Sequence, residues 1–305
     1  MRLGLTIPTP GLPLRDLPEL VRRAEAAGYD SLWSAESTDL DGFTPLAVAA
    51  MHTERVRLVT GIVSVYTRGR ATLAQSAAAL AELSGGRFTL GLGASSNVIV
   101  QQWNGIPFER PLARVRETVA FLRPVLSGER GAGGFKLATA PPHVPILLAA
   151  LRERMLKLAA EIADAAFTNF LPLSGVPQVA AAFGAPEKEL ACRFFSFSGA
   201  DEEALASAKR VFVAYATVPV YTDFFRWLGH GDAIAPVVDA WEGGDRRRAV
   251  ELAPEDLVRE IFLFGPVEAQ RERLAEFEAA GIGTAVVVPF TAPDELAGVV
   301  DAFAE

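Results

Sequence analysis

The sequence predicts an α/β chain closed into a (β/α)8 TIM barrel. Eight short apolar runs rich in β-branched or aromatic residues are each followed by an amphipathic segment rich in Ala, Leu, Glu and Arg, in strict alternation along 305 residues. Continuous apolar runs suit strands buried on both faces of a parallel sheet. Eight strand–helix units are the number that closes such a sheet on itself.

Strands are read near residues 2–7, 30–35, 56–63, 87–93, 144–149, 164–169, 190–197 and 284–289. Helical periodicity runs near 14–27, 42–53, 71–84, 110–126, 151–163, 173–183, 201–215 and 266–280, with a closing helix near 293–304. The segments from Glu25 to Ser31 (EAAGYDS) and from Glu278 to Thr284 (EAAGIGT) share one grammar. In each, a helix ends at a glycine suited to the left-handed position past its C-terminus, and a strand starts at once. Two stretches interrupt the rhythm. Residues 127–143 (SGERGAGGFKLATAPPH) form a loop or hairpin before the fifth strand, and residues 217–265 are a long insertion before the eighth. The insertion carries Tyr221, Phe224, Phe225, Trp227 and Trp241, and is read as a lid or a surface insertion. Its GGDRRRAVELAPEDL stretch also reads as a solvated helix with Glu255 and Asp256 in the first turn. The whole chain, 1–305, is expected to be one domain.

Half of the residues are apolar and the mean hydropathy is +0.24, so the chain can bury a large core. The 29 basic and 37 acidic side chains leave a net charge of −8, which argues against nucleic acid or an anionic membrane as partner. The long uncharged stretches 88–108 and 165–186 are interrupted by Gly, Pro, Asn, Gln or Ser and do not read as membrane spans. A single cysteine, Cys192, allows no intramolecular disulfide, and the first residues lack a signal-like apolar run. A cytoplasmic location is expected.

Familiar catalytic motifs are missing. His52, His143 and His230 are scattered without companion ligands. The stretch Gly91-Leu92-Gly93-Ala94-Ser95-Ser96 follows a strand but lacks the third glycine of a dinucleotide fingerprint. Cys192 sits inside an apolar strand and reads as a buried structural thiol. What remains are small and polar residues at strand C-terminal ends, where barrels build their sites: Ser34 to Ser37, Gly61 to Ser64, Gly93 to Asn97, Ala149 to Arg152, and Asn169. Small residues there let a flat ring lie against the backbone. The helix start after Ala149-Ala150 offers free N–H groups to a phosphate, with Arg152 beside it.

The block LVTGIVSVYTRGRATLAQSAAALAELSGGRFTLGLGASS (58–96) resembles the third and fourth units of the luciferase-like monooxygenase superfamily, most specifically in Leu83-Ser84-Gly85-Gly86-Arg87-Phe88 followed by Gly91-Leu92-Gly93. Gly28-Tyr29-Asp30-Ser31-Leu32-Trp33, Trp103-Asn104-Gly105-Ile106-Pro107-Phe108 and LLAALRERMLKLAAEIAD are similar too. The resemblance implies the bacterial luciferase-like type of barrel and is strongest to the branch using the deazaflavin coenzyme F420. It implies a hydride transfer between reduced F420 and a small organic substrate, in a homodimer packed through the helices at 71–84 and 110–126. A non-prolyl cis peptide at Gly61-Ile62 would back the ring. Ser64, Ala94, Ser95 and Asn97 would neighbour it, and Ala149, Ala150, Leu151 and Arg152 would hold the phosphate, with Asn169 nearby. Glu36 matches the acid found in relatives, while Ser37 stands where they carry His. Leu151-Arg152-Glu153 stands where they carry Gly-Gly-Pro or Leu-Gly-Pro. An FMN-dependent monooxygenase served by a separate reductase, and a flavin-binding barrel without turnover, are the alternatives.

Overall fold

The computed structural model describes residues 1–305 apart from Ser37, Asp39 and Glu305. Its strands are β1 (Arg2–Thr6), β2 (Ser31–Ser34), β3 (Arg57–Thr60), β4 (Val63–Ser64), β5 (Phe88–Gly93), β6 (Ile146–Ala149), β7 (Ala165–Asn169), β8 (Glu189–Phe197), β9 (Leu263–Phe264) and β10 (Thr284–Phe290). All pairings are parallel, in the order β10-β1-β2-β3-β5-β6-β7-β8, and β8 pairs back with β10 from Ala191↔Thr284 to Phe197↔Phe290. The sheet is therefore a closed barrel of eight strands, with β3 and β4 forming one interrupted strand. The short β9 adds to the end of β8.

Helices α1 (Leu17–Ala27), α2 (Thr44–His52), α3 (Arg70–Leu83), α4 (Pro111–Leu126), α5 (Glu153–Ile162), α6 (Val176–Phe183) and α7 (Glu202–Ala216) follow the strands as the periodicity requires. Gly28 does close α1 in the left-handed region, at φ 107°, its N–H donating to Ala24 and Glu25 carbonyls. The stretch 127–143 is a loop with one 3-10 turn, Ala132–Gly134, and no hairpin. Residues 217–265, expected as a lid or surface insertion, are largely helical, with Glu255 and Asp256 in the first turn of the last helix. They fold into α8 (Pro219–Trp227), α9 (Gly231–Glu242), α10 (Arg246–Glu251) and α11 (Glu255–Ile261). Helices α12 (Val267–Ala280) and α13 (Leu296–Ala304) complete the chain. None of the described helices is long and apolar enough to cross a membrane.

Strand alternation divides the barrel into two apolar regions. Leu5, Leu32, Leu58, Leu90, Ile146, Leu148, Phe194 and Val287 point outward against the helices, whereas Trp33, Val59, Leu147, Phe167, Ala191 and Val286 point inward. Full burial of each large outward side chain contributes about 1.5–3 kcal/mol. Inside, Trp33 packs on Phe167 at 4.9 Å between ring centroids, and its indole N–H donates to Ser31 Oγ at 2.8 Å. The lower end of the barrel is closed by Arg57, whose two terminal nitrogens each donate to Glu189 at 2.9 Å. A third apolar region lies above the ends of β7, β8 and β10. There Phe170, Phe195, Phe197 and Val288 pack with Phe212, Phe225, Ile234, Leu257 and Phe262 of the helical insertion and its neighbours. The insertion is thus a second layer seated on one side of the barrel mouth.

Candidate active site at the C-terminal rim

The third barrel strand is broken by a bulge. Leu58 faces Phe88 before it and Val63 faces Leu92 after it, so five steps along this strand oppose four along β5. The extra residue lies at Gly61-Ile62, and that peptide is cis, at the position the resemblance implied. Local residue choices fit this path. A Cβ on Gly91 would stand 1.8 Å from the Thr60 carbonyl oxygen, and one on Gly61 would stand 2.7 Å from the Trp33 ring. Thr60 fastens the crossing, its Oγ1 donating to the Gly91 carbonyl at 2.9 Å and accepting the Gly91 N–H at 2.7 Å.

Glu36, Ser95 and Ala150 follow β2, β5 and β6, and Ser64 ends β4; these are neighbouring parallel strands, so all four stand at one rim. Glu36 is tied to the bulge from three directions. Its N–H donates to the Ile62 carbonyl at 3.1 Å, its Oε2 accepts the Ser64 N–H at 3.3 Å, and its Oε1 accepts from Arg68 Nε at 2.6 Å. Arg68 also reaches Asp41 at 3.4 Å and lies over the Phe43 ring. Ser37 lies outside the described residues. The Ser64 hydroxyl is turned inward and accepts the Tyr66 N–H at 3.1 Å. Gly93, Ile62 and Ala149 meet at the mouth, since a Cβ on Gly93 would fall 2.9 Å from Ile62 Cδ1 and 3.1 Å from Ala149 Cβ. Ser95 takes a left-handed φ of 63°, turning the chain from β5 toward Asn97 and the short helical segment Val98–Trp103. Ile62, Ala94, Ser95, Asn97, Ala149, Leu151 and Arg152 are all partly exposed. These residues follow or end the strands β3 to β6.

The start of α5 is more guarded than its sequence suggested. Ala150 is buried and its N–H is committed to the Phe167 carbonyl at 2.8 Å. Glu153 pairs with Lys157 at 2.5 Å, which offsets the charge of this carboxylate at the helix start. Arg152 holds Asp223 of α8 at 3.0 Å, joining the helix start to the insertion. Among the described residues, the first-turn amides of α5 at Glu153 and Arg154 have no acceptor and could meet an anion. Asn169 serves the insertion: its Nδ2 donates to the Tyr221 hydroxyl at 3.2 Å and its Oδ1 accepts the Phe170 N–H at 3.0 Å. Cys192 is fully buried facing the outer core, and burial pushes its thiol pKa up.

The sequence reading missed Arg193. It points inward from β8, lies over Phe167 at 5.2 Å, and its Nη2 donates to the Gly61 carbonyl at 2.5 Å across the barrel. Its Nε is shielded from solvent with no acceptor among the described residues. Burial pushes its pKa below the usual guanidinium value. The signal was present: a lone charge inside the apolar strand ELACRFFSF. Arg68 and Asp223 were missed as well, because nothing local marks a partner 32 or 71 residues away.

Comparison with known proteins decides the family. The family model described as luciferase-like monooxygenase matches residues 1–284. The chain belongs to the luciferase-like monooxygenase family. A Mycobacterium tuberculosis protein named "putative coenzyme F420-dependent oxidoreductase" is 31% identical, over 94% of this chain and 94% of that one. The coenzyme F420-dependent tetrahydromethanopterin reductase from Methanopyrus kandleri shares the fold, with a TM-score of 0.78 at 22% identity over 100% of this chain and 97% of the other. The FMN complex of the oxygenating constituent of 3,6-diketocamphane monooxygenase from Pseudomonas putida also matches, with a TM-score of 0.69 at 20% identity over 100% and 97%. This luciferase-like chain is an oxidoreductase of a family whose members work with F420 or a flavin.

The rim fits such a cofactor. Gly61, Gly93, Ala94 and Ala149 at the rim are all small, and among the described residues the first-turn amides of α5 and a shielded Arg193 N–H have no acceptor. Gly61, Ile62, Ala94, Ser95 and Ala149 would face the ring, and Leu151 with the first turn of α5 would face the phosphate.

Proposed function

We propose that this protein transfers a hydride between coenzyme F420 and a small organic substrate. The observation that carries this reading is the 31% identity across 94% of both chains to a relative named for F420. The rim supports it, offering a small-residue wall and a single phosphate-sized helix start in place of a basic cluster. When bound, the deazaflavin would supply the hydride chemistry, and the protein's part is to bind, orient and exclude water. Glu36 is a positioning residue: held by Arg68 and two backbone contacts, it fixes the bulge against which the ring would lie. Position 37 is serine, so it supplies no imidazole base.

The test is anaerobic. Reduced F420 mixed with the protein and a panel of small carbonyl and imine compounds should be oxidised with stoichiometric substrate reduction. Product formed only with reduced FMN and oxygen would contradict the proposal.

We also propose a homodimer. Met51 of α2 and Leu83 of α3 are the exposed apolar side chains on this side, 66% and 45% accessible, whereas α4 carries the exposed Arg116–Glu161 pair on its outer face. These exposures favour a pairing face that includes α2 beside α3. Light scattering should give twice the mass of one chain, and Met51→Lys with Leu83→Lys should halve it.

A further inference from the structure

Arg193 is an expensive residue to keep in this place. Arg193 is partly buried with its Nε shielded from solvent, and a charge drawn that far out of water is normally balanced by a carboxylate beside it. Two other partly buried guanidinium groups have such a partner: Arg57 is paired with Glu189 and Arg68 with Glu36. Arg193 has no carboxylate within 4 Å among the described residues, and sits instead over Phe167 with Tyr215 and Tyr221 near it. One of its donors goes to the Gly61 carbonyl, and its Nε–H goes to no acceptor. A second unpartnered polar atom, Thr6 Oγ1, is buried on β1. Alternation from Gly4, whose Cβ position meets the Trp33 indole, directs Thr6 into the same interior. Holding one carbonyl would not require a full charge.

The geometry points to a counter-charge for a bound ligand. We propose that Arg193 recognises the negative charge carried by the ring of the cofactor in its reduced form. The inference rests on the reading that the ring lies against the Gly61-Ile62 bulge, because Arg193 Nη2 is bonded to that bulge. Addition of a hydride, one proton with two electrons, to a neutral conjugated ring adds one negative charge, spread over its carbonyl edge. A planar guanidinium matches such an edge better than a point charge does. Arg193 then binds the reduced form in preference to the oxidised one, and so sets the driving force of hydride transfer. A substrate carboxylate would use the same chemistry, and the test separates the two because no substrate is added.

Wild type, Arg193→Gln and Arg193→Lys are titrated with oxidised and with reduced F420, and separately with both forms of FMN. Gln keeps a donor for the Gly61 carbonyl and loses the charge, while Lys keeps the charge. In Arg193→Gln the reduced ring should lose about tenfold more affinity than the oxidised ring. That lowers the potential of the bound two-electron couple by about 30 mV. Arg193→Lys should keep most of the wild-type preference. Equal losses for both forms in Arg193→Gln, or no change in either, would overturn the inference and leave the binding site standing. Failure of wild type to bind either cofactor would overturn the site reading and the inference together.

Discussion

Arg57 and Glu189 form a two-pronged ion pair at the lower end of the barrel, with Thr284 Oγ1 donating to the same carboxylate at 2.5 Å. Burial alone would raise the Glu189 pKa, but the hydrogen bonds and charge of Arg57 outweigh it and hold the carboxyl below its ordinary value of 4.5. A depressed carboxylate contributes stability that is present above the unfolded-state pKa and lost as pH falls through the folded one. Denaturant midpoints should therefore hold steady from neutral pH to about 4.5 and fall below it. Glu189→Gln should lower stability at neutral pH by about 2 kcal/mol, less than for a fully buried pair because Arg57 keeps some contact with water. It should also flatten the acid side of the curve. An unchanged acid slope would contradict the assignment.

Phe170 joins the insertion to the barrel. It is fully buried at a φ of 53°, and meets Tyr215 at 4.2 Å, Phe195 at 5.0 Å and Tyr221 at 5.5 Å. Phe170→Ala should cost about 3–5 kcal/mol. Hydrogen exchange should show α8 to α11 losing protection before the barrel strands do. A uniform loss over both layers would mean the insertion has no separate seat.

Gly91 tests the bulge. Alanine there would drive a methyl group into the Thr60 carbonyl at 1.8 Å, whereas at Gly283 its nearest neighbour, the Leu190 carbonyl, is at 3.7 Å. Gly91→Ala should cost more than about 3 kcal/mol and prevent cofactor binding. Gly283→Ala should stay within about 0.5 kcal/mol of wild type. Equal melting temperatures for the two variants would refute the packing argument.

The barrel was legible because strand and helix periods are local, and each strand is a short apolar run closed by a turn. The rim at Gly61–Ser64, Gly93–Asn97 and Ala149–Arg152 followed from strand direction alone. The insertion was legible only in its last helix, where Glu255 and Asp256 mark the first turn; before it, Gly229, Gly231, Gly243, Gly244, Pro236 and Pro254 cut the pattern into pieces too short to show a helical period. Its apolar faces make sense only against Phe170, Phe195 and Phe197. The roles of Arg193 and Asn169 were hidden for a related reason: each is decided by a partner across the barrel or in the insertion.

The central claim is that the rim binds a deazaflavin, and parallel equilibrium titrations with F420 and FMN test it most directly. Trp33 lies under Gly61, so its fluorescence should report either ligand. The account predicts tighter binding of F420 than of FMN, abolished in Ser95→Leu and kept in Ser95→Gly, which the left-handed φ of 63° accepts. Tighter binding of FMN, or normal binding of F420 by Ser95→Leu, would contradict it.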